Sequence, residues 1–113
     1  MSLPLVSRST LDELADVIGR EKLDRLVDRF VESLGSAFAG PAGSGDACAR
    51  EAHTLISMSG MLGCEALSQA CRDLEQQAKA GGDVSAPLTA LRALRDRTVA
   101  ELRAMRAEAG PAR

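Results

Sequence analysis

The 113-residue chain carries a single histidine, His53, and three cysteines, Cys48, Cys64 and Cys71. Imidazole titrates close to neutrality, so at pH 7 much of it is uncharged and one ring nitrogen keeps a lone pair for nucleophilic attack. An odd cysteine count with no C-x-x-C pair fits neither a disulfide framework nor a zinc knuckle. Free, mostly buried thiols are the reading that follows. Cys48 and His53 stand about 140° apart round a helix and do not converge on a metal. Cys64 and Cys71 share a face, which core packing also requires. No metal or cofactor site is therefore expected. The chain has no phosphate loop of the form G-x-x-x-x-G-K-[ST] and no room for a nucleotide domain. Autonomous kinase activity is excluded on those grounds.

Composition narrows the partners. Tryptophan and tyrosine are absent and the only phenylalanines are Phe30 and Phe38, so platforms for stacking bases, sugars or flat cofactors are missing. Fourteen basic against sixteen acidic side chains leave a formal charge of −2 and a pI near 5.4. Such a balance carries no electrostatic footprint for nucleic acid or anionic lipid. No apolar run approaches the ~20 residues of a bilayer span, and residues 1–10 do not resemble a signal peptide. The expectation is a cytoplasmic protein that engages neither nucleic acid nor membrane.

The elements that must hold His53 follow from hydrophobic period. A short helix over residues 10–18 opens on the capping-box spacing Thr10-x-x-Glu13 and buries Leu11, Leu14, Ala15 and Ile18. Gly19 interrupts it. A second, over 21–38, sets Leu23, Leu26, Val27, Phe30, Leu34 and Phe38 at steps of three and four, and the Gly/Ala-rich residues 39–45 end it as a loop. Asp46 is the expected N-cap of a third helix reaching Gly60, with Cys48, Ala52, Leu55, Ser59 and Leu62 along its seam. After a turn through Gly63, a fourth over 64–80 carries Leu67, Cys71, Leu74 and Ala78, and Gly81-Gly82 stop it. The last begins near Ser85 with Pro87 in its first turn and carries Leu88, Leu91, Leu94, Thr98, Leu102 and Met105; the tail from Glu108 is expected to fray. No segment alternates like a strand. The expected fold is all-α, an up-and-down antiparallel four-helix bundle with a short additional N-terminal helix, in a single domain over 1–113 with an ordered core at about 9–107.

In that frame His53 follows the seam residue Ala52 and falls at the edge of the apolar stripe, half packed and half wet. Glu75 follows the seam residue Leu74 in the same way, so the two reach one edge of a helix pair. An ordinary boundary histidine and a solvated carboxylate would fit these positions as well.

Residues 52–75 settle the weighting. Ala52, His53, Leu55, Gly63, Leu67, Cys71, Leu74 and Glu75 fall without a gap on the pattern Ala-His-x-Leu-Lys-Gly-Ser-x4-Gly-x3-Leu-x3-Cys-x2-Leu-Glu, and Gly60 meets a frequent glycine. The segment resembles the signature of histidine-containing phosphotransfer (HPt) domains. What the resemblance implies is a phosphorelay intermediate: His53 accepts a phosphoryl group from a receiver-domain aspartate or a kinase and passes it to a response regulator. It further implies that Glu75 orients His53 by accepting a hydrogen bond from the ring. The implied partners are receiver domains and a sensor or hybrid histidine kinase, with Mg²⁺ on the receiver's carboxylates and no cofactor on this chain. A monomer is the expected state.

Two departures from the pattern are awkward. The family's lysine, three residues after the histidine, is Ile56 here, and the following glycine is Ser57. Arg50, one turn before His53, is a candidate for the missing charge, and the Ser57 hydroxyl could donate to a phosphoryl oxygen. Ile56 beside His53 would add apolar surface for docking a partner, with Met58 and Met61 either widening it or packing inward. A second reading follows from these departures: an HPt-like module that binds a receiver or regulates a kinase without transferring phosphate.

Overall fold

A computed structural model of the chain describes residues 5–38 and 45–109. Five helices and no strand occur among the described residues: α1 (Arg8–Ile18), α2 (Arg20–Ser36), α3 (Gly45–Met61), α4 (Glu65–Lys79) and α5 (Ser85–Ala109).

The helix ends correct several expectations. The first helix begins at Arg8, not Thr10, because the Ser7 hydroxyl accepts from the Thr10 amide at 3.3 Å and is itself the N-cap. Gly19, at φ +90°, separates α1 from α2 as expected. The second helix stops at Ser36, two residues before Phe38. Ala37 is extended and Phe38 takes φ +58°, a left-handed conformation that non-glycine residues avoid unless other contacts enforce it. Three contacts do so here. The Phe38 amide donates to Glu51 Oε2 at 2.8 Å, Arg92 Nε donates to the Phe38 carbonyl at 2.9 Å, and Arg95 Nη1 donates to the Ala37 carbonyl at 2.7 Å. With its backbone so clamped, Phe38 still buries its ring.

Most of the expected loop, residues 39–44, lies outside the described residues. Gly45 already belongs to α3, so Asp46 lies inside that helix and is not its N-cap. The fourth helix spans Glu65–Lys79, with Cys64 at its N-cap position and Gly81, at φ +77°, just past its end. Ahead of α5, Asp83 Oδ1 accepts from the Ser85 amide at 2.9 Å. The Ser85 backbone and side-chain hydrogen bonds hold the Asp83 carboxyl below its ordinary range. The last helix is continuous to Ala109, where fraying was expected from Glu108.

Among the described residues the third and fourth helices make the most extensive contact, α4 and α2 both pack on α5, and α1 rests on α2. Their apolar stripes meet in one core, in which Leu34, Ala52, Leu62, Leu67, Cys71 and Leu74 are wholly enclosed. Burial pushes the Cys64 and Cys71 thiols up from 9.0 to about 12. An unfolded chain releases those protons from about pH 9, so above that pH the native state binds more protons and stability falls. The urea midpoint is expected to decline as pH rises from 9 towards 12, and less steeply in a Cys64→Ala/Cys71→Ala variant.

The segment before α1 lies against the turn between α3 and α4: the Ser7 amide donates to the Gly63 carbonyl at 2.9 Å. Asp24 of α2 is nearly buried between Arg20 and Arg106, at 3.8 and 3.6 Å, and Arg106 also reaches Asp28 at 3.3 Å. Those pairs tie α2 to the last turns of α5. Among the described residues, one buried side-chain polar atom is left over. Ser59 Oγ, on the α3 seam, is fully buried without a hydrogen-bond partner. A buried hydroxyl in that state costs about 1–3 kcal/mol, and alanine is also the better helix former. Ser59→Ala is expected to stabilise the protein by about 1 kcal/mol, read as a rise in urea midpoint at unchanged slope.

Candidate functional site

The seam between α3 and α4 fixes where the reactive groups emerge. Ala52 and Leu74 are both fully buried on it, so the residues that follow them rotate out at a shared edge. There His53 Nδ1 lies 2.8 Å from Glu75 Oε2. A carboxylate only accepts, so a proton on Nδ1 is the arrangement in which the two groups attract. In the neutral ring the free lone pair is then on Nε2, which has no hydrogen-bond partner among the described residues.

The two partners differ in exposure. The His53 side chain is 72% exposed, more open than the half-packed placement expected, while Glu75 is 16% exposed. Glu75 is thus not a freely solvated carboxylate. Its half-buried position limits the directions its oxygen can take.

A third group, which the sequence reading missed, joins them. Lys79 Nζ lies 3.5 Å from the same Glu75 Oε2, with its side chain 69% exposed. The signal was an i, i+4 acid–base pair in the last turn of α4, a spacing common on any solvated helix face.

The remaining expected site residues are not drawn into this cluster. Arg50 is exposed one turn before His53, and its guanidinium makes no hydrogen bond or ion pair among the described residues; its carbonyl accepts from Thr54 Oγ1 at 3.0 Å. Ser57 is exposed, its hydroxyl likewise without a partner there. Ile56, expected on the exposed face, is half-buried and packed against the core, because Ala52 and Ser59, one turn to either side of it on α3, are both fully buried. Its carbonyl accepts from Ser68 Oγ at 3.0 Å and links α3 to α4. Met58 also packs on the core, whereas Met61 is 44% exposed. No group of three His, Cys, Asp or Glu side chains among the described residues is placed to hold a metal ion. None of the described helices is long and apolar enough to cross a membrane.

The arrangement places an exposed imidazole beside a half-buried carboxylate that an exposed lysine also reaches. Residues 8–108 match the model of the Hpt domain family. Among solved structures, the fold is similar to that of histidine-containing phosphotransfer protein B (HptB) from Pseudomonas aeruginosa PAO1, with a TM-score of 0.79. The two share 24% identity over 95% of this chain and 98% of that one. Comparison with curated proteins finds no match.

Proposed function

The chain belongs to the Hpt domain family, and from that membership we propose that it is a phosphoryl carrier with His53 as the acceptor. The observation that carries this reading is the 2.8 Å contact of His53 Nδ1 with Glu75, which leaves Nε2 as the nucleophile. The Nε2 lone pair attacks the phosphorus of an aspartyl phosphate on a receiver domain. The P–O bond to that aspartate breaks, its carboxylate leaves with the electron pair, and Nδ1 keeps its proton on Glu75. Onward transfer reverses the roles, an aspartate of a second receiver displacing the imidazole.

The partners in this reading are response regulator receivers and a sensor or hybrid histidine kinase, with Mg²⁺ on the receiver and no cofactor on this chain. The protein acts as a cytoplasmic monomer and has no kinase activity of its own. The proposed fold is the up-and-down bundle of α2 to α5 with α1 as the added short helix, in one domain. Its support is the contact of α3 with α4, of α4 with α5 and of α5 with α2. Arg50 and Ser57, both exposed within about a turn of His53, contribute to the surroundings of the phosphoryl group or to docking.

Ile56, standing where the family carries lysine, favours a second reading: a receiver-binding or kinase-regulating module that does not transfer. Incubation with a panel of radiolabelled phospho-receiver domains separates the two. Acid-labile, alkali-stable label on the chain supports transfer. Receiver binding by calorimetry with no label supports the docking module.

A further inference from the structure

A phosphohistidine adds close to two negative charges, and Glu75 compounds the problem. The carboxylate that sets the His53 tautomer is itself an anion 2.8 Å from the ring, and in isolation it would repel an incoming phosphoryl group. The family's remedy, a cation one turn along α3, is missing. Position 56 is an isoleucine packed on the core. A cation is nonetheless present at the site, on the neighbouring helix: Lys79 Nζ at 3.5 Å from Glu75 Oε2, the oxygen that also receives His53 Nδ1.

We propose that Lys79 is the charge-compensating residue of the His53 site, taking from α4 the role that Ile56 leaves unfilled on α3. Anchored on Glu75 Oε2, its ammonium cancels the charge of the carboxylate that orients the ring and remains close by when the phosphoryl group arrives on Nε2. A lysine at position 56 would act directly on the phosphoryl oxygens. Lys79 acts through Glu75, so it is a positioning residue with an electrostatic effect. Its exposed stem leaves the ammonium mobile enough to shift towards the phosphoryl group once that group is formed. This inference rests on phosphoryl acceptance by His53.

Phosphoramidate is a suitable donor, because it involves no partner surface: His53 Nε2 attacks phosphorus, the donor's P–N bond breaks and ammonia leaves. Formation and decay of the phosphohistidine would be followed by ³¹P NMR in wild type, Lys79→Gln, Lys79→Arg and Ile56→Lys/Lys79→Gln. Glutamine keeps a donor for Glu75 but removes the charge. At low ionic strength Lys79→Gln is expected to slow formation about fivefold and to shorten the phosphohistidine lifetime, as fits one partly screened charge. The deficit should shrink to within about twofold at ~0.5 M salt. Lys79→Arg should behave as wild type, and Ile56→Lys should restore most of the rate lost in Lys79→Gln.

A purely structural lysine, stapling the last turn of α4, would shift thermal stability without a salt-dependent rate effect, and lysine at position 56 would not replace it. Equal rates for wild type and Lys79→Gln at low salt overturn the proposal. So does a folded double variant, with helix content intact by circular dichroism, that shows no recovery. Wild type that takes up no phosphate removes the carrier reading and this role with it. Phosphorylated wild type beside an unaffected Lys79→Gln removes the role of Lys79 alone.

Discussion

Glutamine in place of His53 is expected to reduce phosphoryl acceptance to background while changing stability by no more than about 0.5 kcal/mol, the usual range for surface substitutions. The His53 side chain is 72% exposed, so little packing is lost. Glutamine also keeps a donor beside Glu75, in the N–H groups of its side-chain amide. What it lacks is a lone pair, because the amide nitrogen's electrons are delocalised into its carbonyl. Chemistry and structure are thereby separated in one substitution. Acid-labile label on the variant would place the acceptor elsewhere, and a diminished helix signal in circular dichroism would contradict the exposed placement of the ring.

A valine at Gly63 is expected to have the largest effect on stability, a loss of about 2–4 kcal/mol in urea denaturation. Gly63 takes φ +78° in the turn between α3 and α4, a conformation that β-branched residues scarcely populate. Space is lacking too. A Cβ there would lie 3.0 Å from the Ser7 carbonyl oxygen and 3.1 Å from both the Ser7 and Thr10 Cβ atoms, so the segment leading into α1 would be pushed away. The hydrogen bond from the Ser7 amide to the Gly63 carbonyl would be lost with it. Gly60 provides the control, since it is helical and its added Cβ meets only Ser68 Oγ at 3.7 Å. Gly60→Ala should be neutral or stabilising by about 0.5–1 kcal/mol. Equal costs at the two positions would remove the argument from backbone conformation and close approach.

What could be read in the sequence was whatever the helical period controls. Ala52 and Leu74 on the seam were evident from spacing, and the emergence of His53 and Glu75 at one edge followed from a 100° step. The ends of helices were harder. Two overlapping caps compete at the start of α1, and Ser7 prevails over Thr10 because its hydroxyl takes the Thr10 amide. At the end of α2 the period runs unbroken to Phe38, yet the helix stops at Ser36. The groups that hold Phe38 in its left-handed conformation, Glu51, Arg92 and Arg95, come from α3 and α5, and no local pattern announces contacts so distant in sequence. Lys79 was overlooked for the opposite reason, since acid–base pairs at i, i+4 are common wherever a helix faces water. Ile56 packs inward because Ala52 and Ser59, one turn to either side, are fully buried, where a docking residue would have faced solvent.

His53, Glu75 and Lys79 all stand on a single helical hairpin, α3 and α4, closed by a three-residue link. Bringing such near neighbours together requires little loop-closure entropy, and the contacts are of low contact order. The site can therefore assemble as soon as the hairpin does, independently of the slower docking of α1, α2 and α5. Those three helices cover the hairpin's apolar side and carry none of these three side chains.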